Sequence, residues 1–343
     1  MAEPATHADA PPALRLRNLQ VEFSATGSRG KTIRAVDGVD LELRPGEVVS
    51  LIGESGSGKS VTLRAIMRLH NERSTRLSGQ LEVAGRDVLA MSARELADLR
   101  GSQVAMVFQE PLLALDPVYP VGTQIIEAIR RHENVGQAEA RARALALFEK
   151  VRIPSPERRL AAYAHEMSGG MRQRAMIALA LACRPQLLLA DEPTTALDAT
   201  VQIQILLLLR ELQREMGLAI VFVTHDIGAA AEVADRIAVM YAGRIVEQGP
   251  AAELLTRPRH PYTRSLLMSR GQGAMRRGQR LQTIPGAPPD LAHLPPGCAF
   301  ADRCAWADDV CRAAPPAEVA LGAGHSARCL RLEAMVEEVA QAR

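Results

Sequence analysis

At 343 residues the chain is long enough for about two domains and can bury a sizeable core, which excludes disorder as a description of the whole. Lys and Arg total 41 against 39 Asp and Glu, a formal net charge of +2, so charge gives no general reason to expect a nucleic-acid partner. The longest apolar run, Ala175 to Cys183, is nine residues, well short of the roughly 20 that cross a bilayer as a helix.

The start, MAEPATHADAPP, has neither the basic residues nor the apolar stretch of a secretory signal, and residues 1–13 are predicted to be a disordered leader. Alternation then begins at Leu14 and runs through Val21-Glu22-Phe23, as in a half-buried strand, and a second such strand covers Val39 to Leu43. Pro45-Gly46 makes a turn, and Glu47 to Ile52 is an apolar strand that enters a glycine-rich loop and then a helical stretch, Val61 to Leu69. Further apolar strands are expected at Gln103 to Phe108, Gln186 to Ala190, Leu218 to Val223 and Arg236 to Met240. Strands alternating with helices imply an α/β fold with a mostly parallel sheet. Helix signals dominate residues 110–180, read as an inserted helical subdomain, and include Gln137 to Val151. Apolar residues at 201, 205, 208, 209, 212 and 216 form one face of a helix that Gly217 ends. The expected organisation is a nucleotide-binding domain over 14–249 and a smaller Cys-rich module over 250–343, whose stretch Arg270 to Arg280 is read as a solvated linker. No internal repeat is present, so only one copy of the nucleotide domain is expected.

The segment Gly53-Glu54-Ser55-Gly56-Ser57-Gly58-Lys59-Ser60 follows a strand and precedes a helix, the context in which GxxxxGK[ST] binds phosphate. Its glycines let backbone N–H groups surround phosphate oxygens, Lys59 places a point charge on the terminal phosphates, and Ser60 is a Mg2+ ligand. Lysine is scarce, occurring only at Lys31, Lys59 and Lys150, which makes a chance match poorer still. A second acidic site is expected at the end of the apolar strand Leu187-Leu-Leu-Ala-Asp191-Glu192. Asp191 fits the Mg2+ shell, and Glu192 fits the group that polarises the attacking water in an in-line displacement at the γ-phosphate.

Met167-Ser168-Gly169-Gly170-Met171-Arg172-Gln173-Arg174 is similar to the signature of the ATP-binding cassette family. Ser and two glycines at the start of an apolar helix make a second anion-binding end. The resemblance implies a head-to-tail dimer in which Ser168, Gly169 and Gly170 of one subunit close on the γ-phosphate held by the other. It also implies roles for Gln109 as the Q-loop glutamine that reaches Mg2+ or the attacking water, for Asp198 in the D-loop and for His225 as the histidine that contacts the γ-phosphate. Phe23 resembles the aromatic that stacks on adenine, with a core role as the alternative. Met167 and Met171 depart from the usual Leu and Gln of the signature. That change leaves the SGG anion site intact and removes one polar contact.

The variant SGGMRQR, the segment Arg259-His260-Pro261-Tyr262-Thr263-Arg264 and the pattern Gly297-Cys298-Ala299-Phe300-Ala301-Asp302-Arg303-Cys304 resemble the oligopeptide/dipeptide importer branch of that family. Cys311, His325 and Cys329 continue the pattern. The branch implies an ATP-hydrolysing subunit of an importer of short peptides, with nickel complexes, glutathione or another small solute as alternative cargoes. Its partners would be a second ATPase subunit, identical or homologous, two membrane permease subunits and an extracytoplasmic solute-binding protein. The chain would sit peripherally on the cytoplasmic face of the membrane. A cassette ATPase of DNA repair or translation would carry long coiled-coil insertions or two cassettes, and a P-loop kinase would not need Ser168–Gly170 or His225. Cys298, Cys304, Cys311 and Cys329 have five, six and seventeen residues between successive members. Four thiolates suit tetrahedral zinc or an iron–sulfur cluster, and a packed tail without metal is a third reading. The resemblance implies a 4Fe–4S cluster. Cys183, inside an apolar helix, reads as a small core residue.

Overall fold

The computed structural model describes residues 11–24, 32–269 and 284–333. They form two compact units, one of residues 11–15, 41–48 and 81–223 and the other of the remainder. The stretch Arg270 to Arg280 and residues 1–10 of the expected leader lie outside the described residues. The leader's end is structured: Ala13 is buried, and its carbonyl accepts a hydrogen bond from the Ala84 N–H at 3.0 Å.

In the first unit the strands Val104–Val107, Leu187–Asp191 and Ala219–Thr224 run parallel, with Val104 opposite Leu187 and Leu187 opposite Ala219. Every residue in them is buried. Continuous apolar runs of this kind belong to strands covered on both faces, which is why they carry no alternation. Residues 110–180 supply the helices Pro111–Ala114, Val121–His132, Gln137–Lys150, Pro156–Leu160 and Gly169–Ala180. Val121, Ile125, Ile126 and Ile129 recur at helical spacing and are buried together on one face. Gly122 is needed where Leu160 crosses, since a Cβ there would lie 2.5 Å from the Leu160 carbonyl oxygen. The long helix Ala199–Met216 ends at Gly217, whose φ of 62° is the left-handed cap expected of a glycine there.

In the second unit the strand Val48–Ile52 pairs in parallel with Arg236–Tyr241, Ile52 lying opposite Val239. Arg236–Tyr241 turns back into Arg244–Pro250, antiparallel to it with an irregularity between Ile245 and Glu247. His325–Ala327 then pairs with Arg244–Pro250, and Val319–Gly322 with His325–Ala327. The boundary expected at Gly249 therefore falls inside a strand. Phe300 and Tyr262, from beyond that boundary, share one hydrophobic core with Ile52, Ile227, Val239, Tyr241 and Leu254. The tail and the strand that feeds the phosphate loop are parts of one compact unit.

The second strand of the chain starts at Thr32, seven residues before the expected Val39. Gly38 takes φ 74° inside that strand, a conformation glycine adopts without strain, and the Asp40 carboxylate accepts the Asn18 N–H at 2.9 Å.

Candidate active site

The phosphate loop opens where Val48–Ile52 ends. Gly53, Gly56 and Gly58 take φ of 157°, 79° and 108°. At Gly58 a Cβ would come within 2.6 Å of the Ala35 carbonyl oxygen, and at Gly53 within 2.2 Å of the Met240 carbonyl oxygen, so neighbouring backbone closes around the loop. The helix Lys59–Ile66 follows with Gly58 as its N-cap, which brings no side chain to the first-turn amides. That end carries the positive pole of the helix dipole and suits an anion. Lys59 is buried, and its ammonium donates to the Gly53 and Glu54 carbonyls at 2.9 and 2.8 Å and to Ser57 Oγ at 3.4 Å. Ser60 is the second residue of the helix. Ser55 and Gly56 are exposed on the loop.

Glu54 is held from three sides. Its N–H donates to Tyr262 Oη at 2.8 Å, its carbonyl accepts Lys59, and its carboxylate takes both arms of the Arg303 guanidinium at 2.7 and 3.0 Å. Neither Tyr262 nor Arg303 could be assigned to the loop by reading along the sequence. Their motifs were visible, but no periodicity or spacing says which side chain they meet.

In the first unit Asp191 ends its strand fully buried, and Glu192 follows with φ 47°, a strained conformation for a non-glycine residue. The Glu192 N–H donates to the Val223 carbonyl at 3.0 Å, which fixes the turn. Its Oε2 accepts from Thr195 Oγ1 at 3.0 Å and from Gln109 Nε2 at 3.4 Å. The structure thus brings together Gln109 and Glu192, two residues 83 positions apart that the sequence singled out separately. Thr195, three residues before Asp198, orients the Glu192 carboxylate through its hydroxyl.

Ser168 is the N-cap of Gly169–Ala180, its Oγ accepting the Met171 N–H at 3.3 Å. Met167 is buried and Met171 half-buried. The two glycines allow close packing inside the unit: a Cβ on Gly170 would lie 2.8 Å from Val201 Cγ1, and one on Gly169 3.6 Å from Leu197. Asp198 caps the neighbouring helix through Val201 N–H at 3.0 Å. Arg174, buried in Gly169–Ala180, donates to the Val151 carbonyl at 2.7 Å and to Gln204 at 3.0 Å, and burial, then Arg152, hold its pKa below the usual value.

Phe23 is half-buried and meets His70 edge to face at 5.3 Å. His225 directly follows the strand Ala219–Thr224, and Asp226 caps the next helix through the Gly228 N–H at 2.8 Å.

The cysteines are all free thiols. Burial, first of all, raises Cys298, Cys304 and Cys311 above the usual thiol range and lifts Cys329 to about 11. Charges on Cys298, Cys304 and Cys311 add to the shift of Cys329, so the four lie in one neighbourhood. Among the described residues, however, no three or more His, Cys, Asp or Glu side chains converge to hold a metal ion. The four expected donors are thus near one another without forming a metal-binding group among the described residues, and the expected cluster is not supported by their arrangement. Cys183 donates to the Ala128 carbonyl at 3.4 Å, and burial pushes its pKa up to about 11, as befits a core residue.

Residues 36–195 match the ABC transporter family, and residues 246–311 match the C-terminal region of oligopeptide/dipeptide transporters. A peptide ABC transporter ATP-binding protein of Sinorhizobium fredii is 48% identical over 324 residues, covering 94% of this chain and 96% of that protein. The chain belongs to the ATP-binding cassette family. A peptide import ATP-binding protein of Brucella melitensis is similar at 47% identity over 331 residues, 93% of this chain and 97% of the relative. Among solved structures, an ATP-binding cassette dimer in a post-hydrolysis state with ADP and Pi aligns with TM-score 0.62 and 29% identity, covering 69% of this chain and 98% of that one. The family match places Lys59 and Glu192 in a cassette fold whose solved neighbour carries a hydrolysed nucleotide. No helix among the described residues is long and apolar enough to cross a membrane.

Proposed function

We propose that this cassette is the ATP-hydrolysing subunit of an importer for di- and oligopeptides. The observation that carries the reading is Glu192, held in a strained turn with its carboxylate fixed by Thr195 and Gln109. A carboxylate so oriented is prepared to polarise water, and Gly53 to Ser60 provide the amides and the ammonium that hold ATP phosphates. Ser60, Gln109 and Asp191 offer the hydroxyl, amide and carboxylate oxygens that suit Mg2+, which neutralises phosphate charge when bound. His225 contacts the γ-phosphate, and Phe23 stacks on adenine. In the dimer, Ser168 to Gly170 and Asp198 of one subunit close on the nucleotide of the other; the exposure of Ser168 and Asp198 at the starts of their helices supports this. Closure drives the two permease subunits, a solute-binding protein delivers the peptide, and the chain works from the cytoplasmic face.

The peptide-import relatives and the oligopeptide-type C-terminal match support the cargo. Replacing Glu192 by Gln is expected to preserve ATP binding, to lower turnover by roughly a hundredfold or more and to trap a dimer on size exclusion with ATP. Unchanged turnover refutes the assigned role. Reconstitution with the permeases and binding protein should give ATP-dependent uptake of a labelled dipeptide; uptake of nickel or glutathione alone would reassign the cargo. For the four cysteines we retain a 4Fe–4S cluster as the proposal over zinc. A cubane separates its thiolates more widely than one zinc ion does, and when bound it would cross-link the tail. Anaerobically purified protein should be brown; colourless protein with stoichiometric zinc reverses the choice.

A further inference from the structure

We propose that Tyr262 and Arg303 are positioning residues for the phosphate loop and that, by holding and neutralising Glu54, they set the affinity for ATP. The inference rests on the reading of Gly53 to Ser60 as the nucleotide site. Each polar group of Glu54 is engaged. The N–H goes to Tyr262 Oη at 2.8 Å, the carbonyl to Lys59 Nζ at 2.8 Å, and the carboxylate to Arg303 at 2.7 and 3.0 Å. A continuous chain of contacts therefore runs from the C-terminal region through one residue to the loop lysine.

Both outer residues are themselves locked. Tyr262 is fully buried; its N–H donates to His260 Nδ1 at 3.0 Å, and the preceding N–H groups of Arg259 and His260 donate to the buried Glu247 carboxylate at 2.7 and 2.9 Å. Arg303 is buried, its Nε donates to the Pro285 carbonyl at 2.8 Å, its Nη1 to Tyr241 Oη at 3.2 Å, and its guanidinium lies 5.9 Å from the ring centres of Tyr241 and Phe300. These supports aim a hydroxyl and a fork at one loop residue, which a pair serving only core stability would not require. The charge supplies the consequence. A carboxylate inside an anion-binding loop repels phosphate, and the bidentate guanidinium cancels it. Without Arg303 the carboxylate is left uncompensated.

The test measures ATP–Mg2+ binding to the full chain by fluorescent-nucleotide titration, with thermal unfolding alongside. Arg303→Gln is expected to raise Kd about tenfold, the size of a close charge contact at intermediate dielectric. Adding Glu54→Gln to Arg303→Gln should recover most of that loss, because the repelling charge is gone. Loss of tail packing alone would not be rescued in this way. Tyr262→Phe, which keeps the ring, should raise Kd severalfold and stands in should Arg303→Gln fail to fold. Wild-type affinity in folded Arg303→Gln or in Tyr262→Phe overturns the proposal, as does a double variant no better than Arg303→Gln. Lys59→Ala separates the two readings. If it binds ATP normally, the loop is not the nucleotide site; if it abolishes binding while Arg303→Gln and Tyr262→Phe change nothing, the positioning role alone fails.

Discussion

At the scale of single residues, the phosphate loop separates two costs that the sequence pattern merges. Gly56 and Gly58 both take positive φ, 79° and 108°, but a Cβ at Gly56 meets nothing within 4 Å whereas one at Gly58 would press on the Ala35 carbonyl at 2.6 Å. Gly56→Ala therefore carries backbone strain alone, on the order of 1 kcal/mol, and should fold and bind ATP with a modest loss. Gly58→Ala adds a clash with backbone that cannot step aside, so the loop itself must move. We expect it to lower the unfolding midpoint by several degrees more than Gly56→Ala and to weaken ATP binding by at least about tenfold. Equal effects of the two substitutions in thermal unfolding and nucleotide titration would show that space around the loop is not what demands glycine. Glu192 is the opposite case, a non-glycine residue at φ 47° whose N–H is tied to the Val223 carbonyl at 3.0 Å.

At the scale of elements, the strand Arg244–Pro250 is organised around Glu247, a buried carboxylate that accepts the Arg259 and His260 N–H groups and meets His325 Nε2 at 2.8 Å. Burial brings His260 down to about 4 from 6.5, against the opposing pull of Glu247. The unfolded imidazole takes a proton below pH 6.5 that the folded one refuses until about pH 4, so stability is lost as pH falls through that window. The whole shift corresponds to roughly 3 kcal/mol at most. Denaturant unfolding at pH 6.5 and pH 4.5 should show His260→Gln losing less stability on acidification than the unaltered chain; parallel losses would refute the assignment. The same region marks how far reading the sequence reaches. The strands Leu187–Asp191 and Ala219–Thr224 were legible because burial on both faces writes a continuous apolar run, and the phosphate loop because glycine, lysine and serine each have one job at a fixed spacing. Arg244–Pro250 and His325–Ala327 were not, since the polar side chains of Glu247 and His325 are buried against each other, a pairing 78 residues apart that no local pattern records. Arg303 and Glu54, 249 residues apart, are hidden for the same reason.

At the scale of the whole molecule, the importer reading requires a surface on which the cassette meets a permease. Just beyond Gln109, the segment from the helix Pro111–Ala114 to Tyr119 exposes Leu112, Leu113, Val118 and Tyr119, with Leu113 83% and Val118 71% accessible. Four large apolar side chains within eight residues are more than the scattered exposure a free surface tolerates, and a partner that covers them gains apolar burial. Gln109 itself donates to Glu192, so force applied to this segment reaches the carboxylate through a single residue. The occupant we expect is a cytoplasmic loop or helix of the permease. Leu113→Asp combined with Val118→Asp places charge where burial is needed and touches none of the nucleotide-binding groups. The isolated double variant should keep its basal ATPase rate, whereas in the reconstituted transporter peptide-stimulated hydrolysis and uptake should fall roughly tenfold or more, together with recovery of the permease on co-purification. Full coupling with intact co-purification would show that another surface carries the permease, and loss of basal activity would mean that the segment serves the catalytic carboxylate rather than the docking.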